Sequence, residues 1–80
     1  MEWISCKDAL PTEDGQYLVT EKYFGKHKGI RVLSWANDLS EIDEYYFEDK
    51  AGFYDNDPEW GYYEVDNVLA WCKVDIYEGD

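Results

Sequence analysis

Two β-prone runs flank a glycine-bracketed loop between residues 16 and 36. The first, QYLVTEKYF, is dominated by aromatic and β-branched residues, which suit a pleated, half-buried surface. GKHKG follows, with a glycine at each end of three polar residues, the composition of a hairpin connection. IRVLSWA then alternates, with Leu33 and Trp35 on one face and Ile30, Val32 and Ser34 on the other. A later run, NVLAWCKVDIY, is apolar on both faces and reads as a central strand covered on each side. The tail after it, Glu-Gly-Asp, should fray.

The remaining segments are less regular. MEWISCKDALPTEDGQ reads as an extended arm or single irregular turn, because Pro11 disfavours helix at Leu10 and TEDG favours a turn. Trp3 is expected to cap the core from this arm. NDLSEIDEYYFED offers Asn37, Asp38 and Ser40 as helix caps, Asp43 three residues after Ser40, and a stripe of Leu39, Ile42 and Tyr46. The same segment contains EYYFE, which is β-prone, so a short helix and a loop running into a strand both fit. DNDPEWG reads as a loop. The expected fold is mainly β, or a small α+β, in one domain over residues 1–80. Its antiparallel sheet has about three to five strands, with room for one short helix around residues 38–47.

Charge narrows the function. The formal net charge of −12 argues against direct nucleic-acid binding, which needs clustered Lys and Arg, and against anionic membrane surfaces. No apolar run approaches the ~18 residues of a membrane span. MEWISCKD lacks the basic and apolar regions of a signal peptide, so a cytoplasmic protein with two free, buried thiols, Cys6 and Cys72, is expected.

Catalytic and metal signals are thin. His27 is the sole histidine, in a lysine-bearing loop, and reads as solvated. Cys6, Cys72 and His27 lack the paired spacing of a zinc site, and no phosphate loop or nucleophile elbow is present. DNDPEWGYYEVD has the acid spacing of a calcium loop, but Trp60 stands where the sharp turn requires glycine and Pro58 intrudes. No enzyme activity and no cofactor are expected.

The acids are concentrated. Residues 38–66 hold eleven of the nineteen carboxylates against one lysine, together with eight aromatic rings. Lys22, Lys26, Lys28 and Arg31 fall in residues 22–31, which contain no acid. Were the middle segment extended, Glu44, Tyr46 and Glu48 would share one face and Tyr45, Phe47 and Asp49 the other. Carboxylates would then recur every ~6–7 Å at the rise of a strand, close to the interval between successive phosphates. Acids steer a basic partner and aromatic rings anchor it; arginine stacking on Tyr45, Tyr54 or Tyr62 would add roughly 0.5–2 kcal/mol each. The candidate partner-binding set is therefore Asp43, Glu44, Tyr45, Glu48, Asp49, Tyr54, Asp55, Asp57, Glu59 and Trp60.

Two segments resemble a known family. Trp3, Ile4, Asp8, Leu10, Pro11, Tyr17, Leu18 and Val19 match the opening of the DUF551 family of small phage and prophage proteins. Trp71 matches the tryptophan of its closing strand. The family's histidine before that tryptophan is Ala70 here, its Pro-rich close is missing, and the acidic middle lies outside the resemblance. The family has no known function; the resemblance implies a phage accessory setting, where small acidic proteins block host defences. The resulting expectation is a nucleic-acid mimic that binds a basic, nucleic-acid-binding host protein stoichiometrically, as an anti-CRISPR or anti-restriction factor does. A small-molecule or nucleotide-sequestering protein and a generic protein-interaction module are the alternatives.

Overall fold

The computed structural model describes residues 2–74. Six antiparallel strands form one sheet: β1 (Ile4–Ser5), β2 (Gly15–Lys22), β3 (Lys28–Ala36), β4 (Gly52–Asp57), β5 (Gly61–Val65) and β6 (Val68–Lys73), in the order β1-β6-β2-β3-β4-β5. The chain is mainly β, and its one helical element among the described residues is a 3-10 turn at Leu39–Glu41. The count exceeds the expected strands because the arm contributes the two-residue β1 and DNDPEWG is largely strand. The expected fraying of residues 78–80 lies outside the described residues.

The sheet is strongly coiled, as chain geometry requires. β5 and β6 lie four strand positions apart, about 19 Å in a flat sheet. Only Asp66 and Asn67 join them, and three residue steps span at most about 11 Å. The coil brings the end of β5 to the start of β6, and Asn67 secures the junction: its carbonyl accepts from Lys22 N–H at 3.0 Å, and its side-chain amide donates to Lys22 O at 2.8 Å. A register shift at Thr20/Glu21 against β6 marks an irregularity of the kind that increases twist.

Alternation then decides what is buried. Tyr17 and Val19 of β2 face the inside of the coil with Leu33 and Trp35 of β3, Phe53 of β4 and Val65 of β5. Trp35 meets Phe53 edge-on at 4.8 Å, and Tyr17 meets Trp71 edge-on at 5.2 Å. The N-terminal arm covers this face through polar ties: Trp71 Nε1–H donates to Ala9 O at 2.9 Å and the Tyr17 hydroxyl to Glu13 O at 2.8 Å. Pro11 is buried, whereas Trp3, expected to cap the core, is exposed, and half-buried Cys6 packs there instead. Both cysteines are free; Cys72 is buried and Cys6 only partly so.

Candidate functional site

The segment between β3 and β4 folds back over the outer face of the sheet. Asp38 starts the 3-10 turn, accepting from Ser40 N–H at 3.0 Å and from its hydroxyl at 2.6 Å. Ser40 is thus a ligand of the cap rather than the cap itself. Leu39 is fully buried against Gly52, where an added Cβ would lie 2.9 Å from Leu39 Cδ1. The helix ends after one turn because Asp43 accepts from Tyr45 N–H at 3.0 Å, a local bond that competes with helix continuation. Residues 44–46 form a turn. The alternating carboxylates expected of an extended Glu44–Asp49 segment are therefore not formed, and its phosphate-like interval is absent.

DNDPEWG, expected as a loop, is split between two strands and a short turn. Asp55, Asn56 and Asp57 are strand residues of β4, pairing with Tyr63, Tyr62 and Gly61. Only Pro58, Glu59 and Trp60 make the turn, which Asp57 closes by accepting from Glu59 N–H at 2.8 Å and Trp60 N–H at 3.2 Å. Gly61 follows with φ +84°, a left-handed conformation that glycine adopts without a Cβ penalty. The segment is a hairpin and not a continuous loop, and among the described residues no three His, Cys, Asp or Glu gather as metal ligands.

These two substructures form one acidic and aromatic margin. Phe47, Tyr54 and Tyr62 make a row of rings across the outer face, with centroids 6.3 and 5.9 Å apart. At one end lies the loop, with Glu44, Tyr45, Glu48 and Asp49 exposed and Asp43 half-buried; Tyr45 is 90% exposed. At the other end lies the β4–β5 turn, with Glu59 exposed, Asp57 half-buried and Trp60 82% exposed. The acidic ends are separated by the length of β4, about 17–20 Å. Tyr54 is half-buried in the middle of the row.

Asp55 does not join that margin. It points inward with Glu21, Arg31 and Tyr63, a cluster not expected from the sequence. Arg31 makes a two-pronged pair with Glu21 through Nε and through Nη2 at 3.3 Å, and its Nη1 donates to Asp55 Oδ2 at 3.2 Å and to the Tyr63 hydroxyl at 3.3 Å. Burial opposes the charged guanidinium, but its bonds to Tyr63 and Glu21 outweigh this and raise Arg31 above its ordinary range. The signal lay in alternation: Glu21 follows Tyr17 and Val19 at period two, and Arg31 precedes Leu33 and Trp35. Lys50, bonded to Glu64 at 3.1 Å, is a second internal counter-charge.

The basic loop shares an end of the sheet with one part of the acidic segment and lies opposite the other. β3 and β4 are antiparallel, with Ser34 opposite Tyr54, so the β2–β3 and β4–β5 turns point the same way. The lysine loop therefore lies at the same end of the sheet as Asp57 and Glu59. Among the described residues no helix is long and apolar enough to cross a membrane. No family model matches the chain, nor does any curated protein sequence or solved structure.

Proposed function

We propose that this chain is a phage-type accessory protein of the host bacterial cytoplasm that works by stoichiometric binding and not by catalysis. Its partner in this reading is a basic, nucleic-acid-binding host defence protein, such as a CRISPR or restriction effector, whose nucleic-acid surface it occupies as a mimic. One observation carries the reading: Tyr45 and Trp60, 90% and 82% exposed, stand among acids instead of joining the core. Exposed rings beside carboxylates combine long-range attraction with desolvated anchoring. The DUF551-like termini support the phage setting. The mimicry is one of charge and stacking and not of regular spacing, supplied by two acidic clusters bridged by rings.

The test is an affinity pull-down from bacterial lysate at low and high salt, repeated with a neutralised variant. Glu44, Glu48, Asp49 and Glu59 are the acids to change to Gln or Asn, because none takes part in the ion pairs found among the described residues. The expected outcome is capture of a basic nucleic-acid-binding protein, with association at least roughly tenfold slower for the variant. Capture that is indifferent to both salt and neutralisation would sink the mimic and leave a generic interaction module.

A further inference from the structure

β5 is the outer strand of the sheet: it pairs with β4 on one side, and no described strand pairs with the other. The opposite margin ends in β1, whose two residues are too few to template a partner. β5 offers five residues, about 17 Å of main chain, and Tyr62, Tyr63 and Glu64 are exposed along it. Its sequence, GYYEV, contains no lysine or proline, and its register with β4 contains no bulge. Lysine, proline and bulges are among the devices by which free edges are kept from pairing, and Glu64 is the single charge on this strand.

The two faces flanking this edge differ in what they accept. On the outer face Tyr62 stands beside Tyr54, and Glu64, opposite Tyr54, holds Lys50 at 3.1 Å through Oε2 with 32% of its side chain exposed, so a side chain placed there meets rings and a carboxylate that it would share with Lys50. On the inner face Tyr63 already has the Arg31 guanidinium 3.3 Å from its hydroxyl, which disfavours a second cation. We propose that the free edge of β5 takes an extended segment of a basic partner by main-chain strand pairing, with Lys or Arg at alternate positions over Tyr62 and Glu64 and neutral residues between them. Such pairing draws affinity from main-chain hydrogen bonds and specificity from alternate side chains. A second copy of this chain is disfavoured as the occupant, because it brings another net charge of −12. The inference rests on the acidic–aromatic surface proposed above and adds the docking mode and the ligand pattern.

Synthetic peptides separate the two. The probe is a capped Arg-Thr-Arg-Val-Arg-Thr peptide. Its controls are the same peptide N-methylated along its central residues and an isomer with its arginines in one block. The N-methylated form keeps every charge and loses main-chain pairing. The expected result is binding at least roughly tenfold tighter for the probe than for either control, with slowed amide exchange at alternate residues of 61–65. Equal affinity for the N-methylated form overturns strand pairing while leaving the charged-surface reading intact, and equal affinity for the block isomer overturns the alternating pattern. Binding without protection in β5, or no binding, also overturns the proposal. A dimeric protein with β5 protected before peptide is added assigns the edge to a second copy and overturns it too.

Discussion

Glu21 occupies the position on β2 where a third core residue would be expected after Tyr17 and Val19, and it is only 2% exposed. Its charge is tolerated because Arg31 meets it from the facing strand, while the rest of the guanidinium reaches Asp55 and Tyr63 at the rim of the coil. Removing one member of a buried pair strands the other, and partial exposure of Arg31 softens that penalty. Glu21→Ala should therefore cost about 2–3 kcal/mol in urea denaturation, and Asp55→Asn, at the wetter end, less than about 1 kcal/mol. Alternation along two adjacent strands put Glu21 and Arg31 on the core face, but their pairing was not foreseen from the sequence. The addition of Asp55 was not legible, because it depends on a hairpin that turn-rich composition concealed. Tyr17 shows a second effect of burial: desolvation, reinforced by the charges of Glu13 and Asp14, pushes its phenol above its ordinary value. Folding thus favours the neutral phenol, whose contribution is complete below pH ~10 and is lost as pH rises through the raised value. Alkaline titration followed by circular dichroism should show stability falling above pH ~10, and Tyr17→Phe should flatten that fall.

The loop between β3 and β4 is held down mainly by Leu39, and the margin's rings depend on it. Leu39→Ala should cost about 2–4 kcal/mol by the cavity it leaves, and the signals of Phe47 and Tyr54 should shift with it in NMR spectra. Gly52→Ala attacks the same contact from the sheet, and the 2.9 Å approach predicts displacement of the loop with less loss of core stability. The β2–β3 hairpin was readable because its apolar period and its glycine-bracketed turn agree. The β4–β5 hairpin was not, since Asp55, Asn56 and Asp57 are poor strand formers whose state is decided by their partners across the sheet. The stripe of Leu39, Ile42 and Tyr46 overstated the helix: Leu39 is buried, but Tyr46 is exposed, and Asp43 spends its side chain on the next turn. Of the candidate residues, Glu44, Tyr45, Glu48, Asp49, Glu59 and Trp60 lie exposed while Asp43, Tyr54, Asp55 and Asp57 are half-buried, a division and a grouping into two clusters that required the fold.

Across the whole molecule, the net charge of −12 presses on a small fold with three ion pairs among its described residues. Screening should relieve that pressure. Melting temperature should therefore rise between very low and moderate ionic strength, by roughly 4–8 °C for each kcal/mol relieved; a flat or falling curve in calorimetry would show that self-repulsion is negligible. The coil that creates the core also sets an order of events. β6 slots between β1 and β2, so the segment joining the sheet's first two partners is the last of the six to leave a ribosome. Until it arrives, β2 exposes an unpaired flank and Ile4 has no Trp71 to meet. Nascent chains arrested before residue 68 should consequently be protease-sensitive and prone to clump, even though both hairpins are already complete.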